Sequence, residues 1–255
     1  LGKLDGKTAL VSGTAAGTGR AIALLFAAEG ASVIGCDVDA EGSEATAAEA
    51  RGRGHRMESI APIDLSDREQ SEAWITAAVV QAGGIDVLCN NAARFHFGSI
   101  GTVTTEEFDY TIANELGTVF WPTQAAWPHL VERRGSVVNI GSIAGLAGSS
   151  STPKAVHSAA KAGVLGLTRQ LAAEGAADGV RVNVLSPGVI ETDASAEMVA
   201  LGADGPLGPM LAQIALGAPG TVDDVAAGAL YLACADSRFI TGQDIVLDGG
   251  ATALR

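Results

Sequence analysis

Residues 8–37 constrain the fold more tightly than any other stretch of this chain. Thr8-Ala9-Leu10-Val11 is a short apolar run suited to a buried strand, and it leads into Gly13-Thr14-Ala15-Ala16-Gly17-Thr18-Gly19. A helix-periodic segment follows, with Ile22, Leu25 and Phe26 on its apolar side. Gly30 ends it, and a second strand runs from Ala31 to Cys36 with Asp37 at its tip. Glycines in the turn let a backbone approach a pyrophosphate closely, and the helix start offers unpaired N–H groups at a positive dipole end. An acid at the tip of the second strand accepts both hydroxyls of an adenosine ribose and repels a 2′-phosphate. Strand, glycine turn, helix, strand and acid in this order predict a dinucleotide-binding βαβ unit that prefers NAD.

The rest of the chain extends this unit. Short apolar runs alternate with helical patterns, which predicts an α/β fold: a single-domain, doubly wound parallel sheet with helices on both faces, spanning residues 1–255. Strands are expected at 56–61, 85–89, 135–140, 180–185 and 244–247. Helices are expected at 67–82 with Asp67 as its cap, 104–132, 153–178, and after Thr221. Pro122 and Pro128 fall inside the second of these patterns and predict a kink or break there. Residues 190–218 are irregular and rich in Gly, Ala and Pro, and form the candidate substrate lid.

Composition narrows the function classes. The net charge is −13 and no Lys/Arg run occurs, which argues against nucleic-acid binding. No apolar run reaches the ~18 residues of a membrane span, and no signal peptide precedes Lys3. Cys36, Cys89 and Cys234 are far apart, with no CxxC pair. This points to a reducing, cytoplasmic setting and to no metal site.

Several further motifs carry a resemblance. Asp64-Leu65 follows the third strand, Asn90-Asn91-Ala92-Ala93 the fourth, and Pro187-Gly188-Val189 with Thr192 the sixth. Asn114, Ser142 and Lys161 stand at matching intervals. With Gly13-x-x-x-Gly17-Thr18-Gly19, these residues resemble the short-chain dehydrogenase/reductase family from end to end. The resemblance implies that Gly13, Gly17, Thr18, Gly19, Asp37, Asp64, Leu65, Asn91, Ala92, Pro187, Gly188, Val189 and Thr192 bind the cofactor. It further implies that Asn114, Ser142 and Lys161 are catalytic, Lys161 also holding the nicotinamide ribose. A small alcohol or ketone substrate and a homotetramer, with the 104–132 and 153–178 helices at one interface, follow from the same resemblance.

One position departs from the family. The Tyr of its Tyr-x-x-x-Lys motif, the usual general acid–base, is His157 here, one helical turn before Lys161. A neighbouring cation and a positive nicotinamide both disfavour an imidazolium, so His157 is expected to be neutral near pH 7 and to serve alcohol oxidation better than ketone reduction. Imidazole is shorter than phenol by roughly 2 Å, while direct transfer needs heavy atoms within ~2.6–3.2 Å, so a bridging water or a deeper substrate is required. Arg94-Phe95-His96-Phe97 is a candidate substrate-contact segment. Two other readings stay open: a catalytically degenerate cofactor-binding protein, and a non-redox enzyme on the same scaffold.

Overall fold

In the computed structural model, which describes residues 2–253, seven parallel strands form the central sheet. They are β1 (Thr8–Ser12), β2 (Ser32–Cys36), β3 (Arg56–Ser59), β4 (Val87–Asn90), β5 (Ser136–Ile140), β6 (Arg181–Pro187) and β9 (Asp244–Leu247). Their spatial order is β3-β2-β1-β4-β5-β6-β9. The order reverses between β1 and β4, and the carboxyl ends there leave the crevice in which open α/β sheets bind ligands.

Helices cover both faces. One face carries α1 (Gly17–Ala28), α2 (Ala40–Gly52) and α9 (Val222–Ala233), where Ile22, Phe26, Ala47, Val225 and Leu232 meet Val11, Val33 and Leu185. The other carries α3 (Arg68–Ala82), α5 (Thr118–Arg133) and α6 (Ala155–Gly175). There Trp74, Ile75, Leu130 and Ala172 pack on Leu10, Leu88 and Val137. The strand interiors are apolar on both sides because both faces are covered. No helix among the described residues is long and apolar enough to cross a membrane.

Local signals in the sequence account for several helix starts. Asp67 caps α3 by accepting from the Glu69 and Gln70 N–H groups. Thr221 with Asp224 forms a capping box on α9. A second box, Thr104 with Glu107, starts α4 (Thr105–Ile112).

The expected break in the 104–132 pattern is present but misplaced. Both Pro122 and Pro128 lie inside the continuous α5, whereas the interruption is a π-helical turn upstream, at Ala113–Gly117. Each proline removes one N–H donor, and neither stops the helix. The wider i→i+5 turn places one extra residue between α4 and α5 and changes which side chains face the sheet.

The 190–218 segment is less irregular than its composition implies. It contains α7 (Ala196–Ala200) and α8 (Gly208–Leu211). A short parallel pairing between β7 (Ile190–Glu191) and β8 (Gly220–Thr221) ties its two ends together.

Candidate active site

A cleft of about 980 Å³ opens over the carboxyl ends of β1, β2, β4, β5 and β6. At its floor the chain leaves β1 through Gly13, with φ at 75°. A Cβ here would need a disfavoured backbone and would lie 2.8 Å from Asn91 Nδ2. Helix α1 then starts with no side-chain cap and no acid in its first turn, unlike α3, α4 and α9. Its free N–H groups and positive end face the cleft through Gly17 and Thr18. The residues present therefore fit the pyrophosphate of a dinucleotide.

Gly19 does a different job. It does not line the cleft, and a Cβ on it would sit 1.9 Å from the Gly13 carbonyl oxygen. Its role is to let α1 lie against the turn. Gly19→Ala must push the helix off the turn, an overpacking that costs ~1–3 kcal/mol. The expected result is a lower melting temperature together with weaker binding of a reduced nicotinamide dinucleotide in a fluorescence titration. An unchanged affinity would show that the turn does not depend on this contact.

Asp37 lines the cleft with its carboxylate fixed by two donors. The Ala15 N–H donates to Oδ2 and the Asp39 N–H to Oδ1, each at 3.0 Å. A carboxylate has about four lone-pair directions, so acceptor capacity remains for ribose hydroxyls. Asp64 and Leu65 lie in the same wall, with Asp64 Oδ1 accepting from Ser66.

Asn91 and Ala92 also border the cleft, but the Asn91 side chain is a brace. Its Nδ2 donates to the Ser12 carbonyl and its Oδ1 accepts from Thr18 Oγ1 at 2.8 Å, which locks β1, β4 and α1 together. Pro187, Gly188, Val189 and Thr192 form the opposite wall, continued by Met198, Leu207 and Met210 of the 190–218 segment.

The end of the cleft that holds Ser142, His157 and Lys161 lies between β5, the π turn and α6. Ser142 stands in extended conformation just past β5, and its Oγ accepts from the Ala144 N–H at 3.1 Å, leaving the hydroxyl proton to donate. His157 and Lys161 project from the buried side of α6. Lys161 Nζ donates to the Ile140 carbonyl at 3.2 Å. Burial pushes the Lys161 ammonium below its usual range, and the Glu115 carboxylate opposes that shift.

Sequence reasoning missed Glu115. This residue is fully buried, and its Oε1 and Oε2 lie 2.8 and 3.0 Å from His157 Nδ1, with Lys161 Nζ 3.6 Å from Oε1. The neighbouring Asn114 lines the cleft but turns its amide back to the Tyr110 carbonyl at 3.0 Å. The premise that only cations surround His157 therefore fails, because a carboxylate stands against the lysine. With it falls the argument that an imidazolium is disfavoured in the reductive direction. The available signal was register: Glu115 stands three residues after Ile112 and four before Val119, an acid in line with apolar helical positions.

The aromatic segment after β4 is only partly in the site. The Phe95 ring lies 4.3 Å from His157 centre to centre, and the Phe97 ring 6.3 Å. His96 instead rests on Tyr110 and is not in the cleft wall. Cys36 and Cys89 offer no nucleophile, since burial pushes the Cys89 thiol up to about 12 and the Cys36 thiol well above its usual value.

Comparison with known proteins agrees with this geometry. A family model described as enoyl-(acyl carrier protein) reductase matches residues 13–252. The chain is 35% identical over 249 residues to a 3-oxoacyl-[acyl-carrier-protein] reductase of Thermotoga maritima, covering 97% of this chain and 98% of that one. It is 36% identical over 252 residues to a D-threitol dehydrogenase of Mycolicibacterium smegmatis, covering 98% and 94%. Among solved structures, a putative 2-deoxy-D-gluconate 3-dehydrogenase from Agrobacterium tumefaciens with bound NADP superposes with a TM-score of 0.87 at 32% identity. That match covers 98% of both chains.

Proposed function

The chain belongs to the short-chain dehydrogenase/reductase family, and on that premise we propose that it is an NAD-dependent oxidoreductase interconverting a secondary alcohol and its ketone, with His157 as the proton acceptor. The observation that carries this reading is the position of His157. It lines the cleft beside Lys161, with Nδ1 already hydrogen-bonded and Nε2 left for the substrate side.

When bound, the nicotinamide supplies hydride exchange. The side chains do the rest. Gly13, Gly17 and Thr18 with the start of α1 hold the pyrophosphate, Asp37 the adenosine ribose, and Lys161 the nicotinamide ribose. Asp64, Leu65 and Ala92 border the adenine end, and Pro187 to Val189 with Thr192 border the nicotinamide end. Ser142 donates to the substrate oxygen and orients it, and His157 takes the alcohol proton. Asn114 contributes its carbonyl and the local helix geometry at the cleft edge.

Asp37 is the ground for NAD over NADP. Nothing basic stands in the turn to pair a 2′-phosphate, and the carboxylate would repel one. The same reading takes the enzyme to be cytoplasmic and homotetrameric. Exposed Phe108 and Tyr110 on α4 and Phe120 on α5 supply apolar surface for the oligomer.

The test is NADH formation with a panel of secondary alcohols between about pH 6 and about pH 10, comparing the protein with its His157→Tyr variant. Turnover by the unmodified protein is expected. Turnover confined to the tyrosine variant would overturn His157 as acceptor, and turnover by neither would remove the oxidoreductase reading.

A further inference from the structure

We propose that Glu115 is the positioning residue for His157, fixing the imidazole with hydrogen on Nδ1 so that Nε2 faces the substrate as the acceptor. The proposal rests on the oxidoreductase reading above for the step it serves, and on geometry alone for the pair itself.

A carboxylate with no solvent exposure is costly unless it is paired and hydrogen-bonded. Glu115 has two partners, His157 Nδ1 at 2.8 Å and Lys161 Nζ at 3.6 Å. An ionised carboxylate only accepts, so the nitrogen it contacts must carry hydrogen. That places N–H on Nδ1 and the lone pair of the neutral ring on Nε2. In free histidine neither nitrogen is fixed in this way, and which one is protonated depends on the hydrogen bond made by the other.

The π turn at Ala113–Gly117 is what delivers this residue. Adjacent helical residues do not share a face, so the extra residue in the turn decides whether position 114 or 115 points at α6. Here it is Glu115, while Asn114 is turned back along α4. The Phe95 ring against the imidazole limits its rotation, so the hydrogen bond and the packing select the same orientation.

In the oxidative step the substrate O–H bond breaks and its proton bonds to Nε2. The Nδ1–H bond to Glu115 stays intact, and the imidazolium formed sits against the carboxylate. The carbinol C–H bond breaks as the C=O bond forms, and an oxidised nicotinamide, when bound, would accept the hydride. This is the orienting role that the aspartate plays in serine-protease triads, where an amide in its place holds the wrong tautomer.

The experiment uses the full chain labelled with [15N]histidine, with His157 assigned among four histidines by difference with His157→Gln. In the alkaline range where the His157 signals themselves show a neutral ring, NMR of the unmodified protein is expected to show Nδ1 protonated and Nε2 bare. An Nε2–H tautomer there would overturn the proposal, and this needs no variant and no activity. In Glu115→Gln the amide can donate to Nδ1, so the signal is expected to move toward Nε2–H. The alcohol-oxidation kcat is expected to fall at least about tenfold with KM for NAD within about twofold. A counter-ion for Lys161 with no other role would lower only the melting temperature, leaving tautomer and kcat unchanged, and that result would also overturn the proposal. If the unmodified protein turns over no alcohol, the oxidoreductase reading fails while the two spectra still decide the Glu115–His157 pair.

Discussion

Replacing His157 with alanine lowers kcat for alcohol oxidation by roughly 10²–10⁴-fold, the usual worth of a positioned acid–base group. Cofactor affinity is expected to stay close to that of the unmodified protein, because His157 lies at the reacting end, away from the glycine turn and Asp37. The truncation leaves a gap under the Phe95 ring, 4.3 Å from the imidazole in the intact site, and deprives Glu115 of its hydrogen-bond donor. Added imidazole can occupy that gap and is expected to restore part of the rate. Steady-state kinetics with and without added imidazole, alongside NADH fluorescence titration, separate the two contributions. If the alanine variant keeps its rate, the proton leaves by another route, and Ser142 with Lys161 becomes the path to examine.

Asp37→Ala is expected to weaken NAD binding at least about 100-fold, since two charge-assisted hydrogen bonds to the ribose hydroxyls are lost, each contributing ~1.5–3 kcal/mol net. NADP binding is expected to improve, because the carboxylate that repels a 2′-phosphate is gone. The ratio of kcat/KM for the two cofactors therefore moves further than either value alone. The part-buried Ala15 N–H and the exposed Asp39 N–H also lose their partner. Measuring both cofactors on one alcohol checks the claim. An unmodified protein that prefers NADP, or a variant whose ratio does not move, would show that Asp37 does not read the ribose.

Much of the architecture is legible because its signals are short in range. The β1–α1–β2 unit is written in consecutive residues, from the apolar run at Thr8 to Asp37. Caps at Asp67, Thr104 and Thr221 lie within three residues of the N–H groups they satisfy. The glycine at position 19 is needed where α1 meets the Gly13 carbonyl, a contact six residues away in sequence. Helix breaks were harder to place. Two prolines drew attention to α5, whereas the break at Ala113–Gly117 contains no proline, and only the pairing of backbone groups in three dimensions reveals it.

The sequence by itself determined the doubly wound sheet, the glycine turn after β1, the acid just past β2 and the histidine in place of tyrosine. Each depends on neighbours along the chain or on intervals that a strand and helix repeat dictates. Only the tertiary structure decided what His157 faces. Glu115 is 42 residues away. Whether it or Asn114 points at α6 depends on a single extra residue in a π turn, since one position along a helix rotates a side chain by roughly 100°. No composition or spacing rule registers that rotation, yet it places a buried carboxylate against the imidazole and reverses the local charge argument.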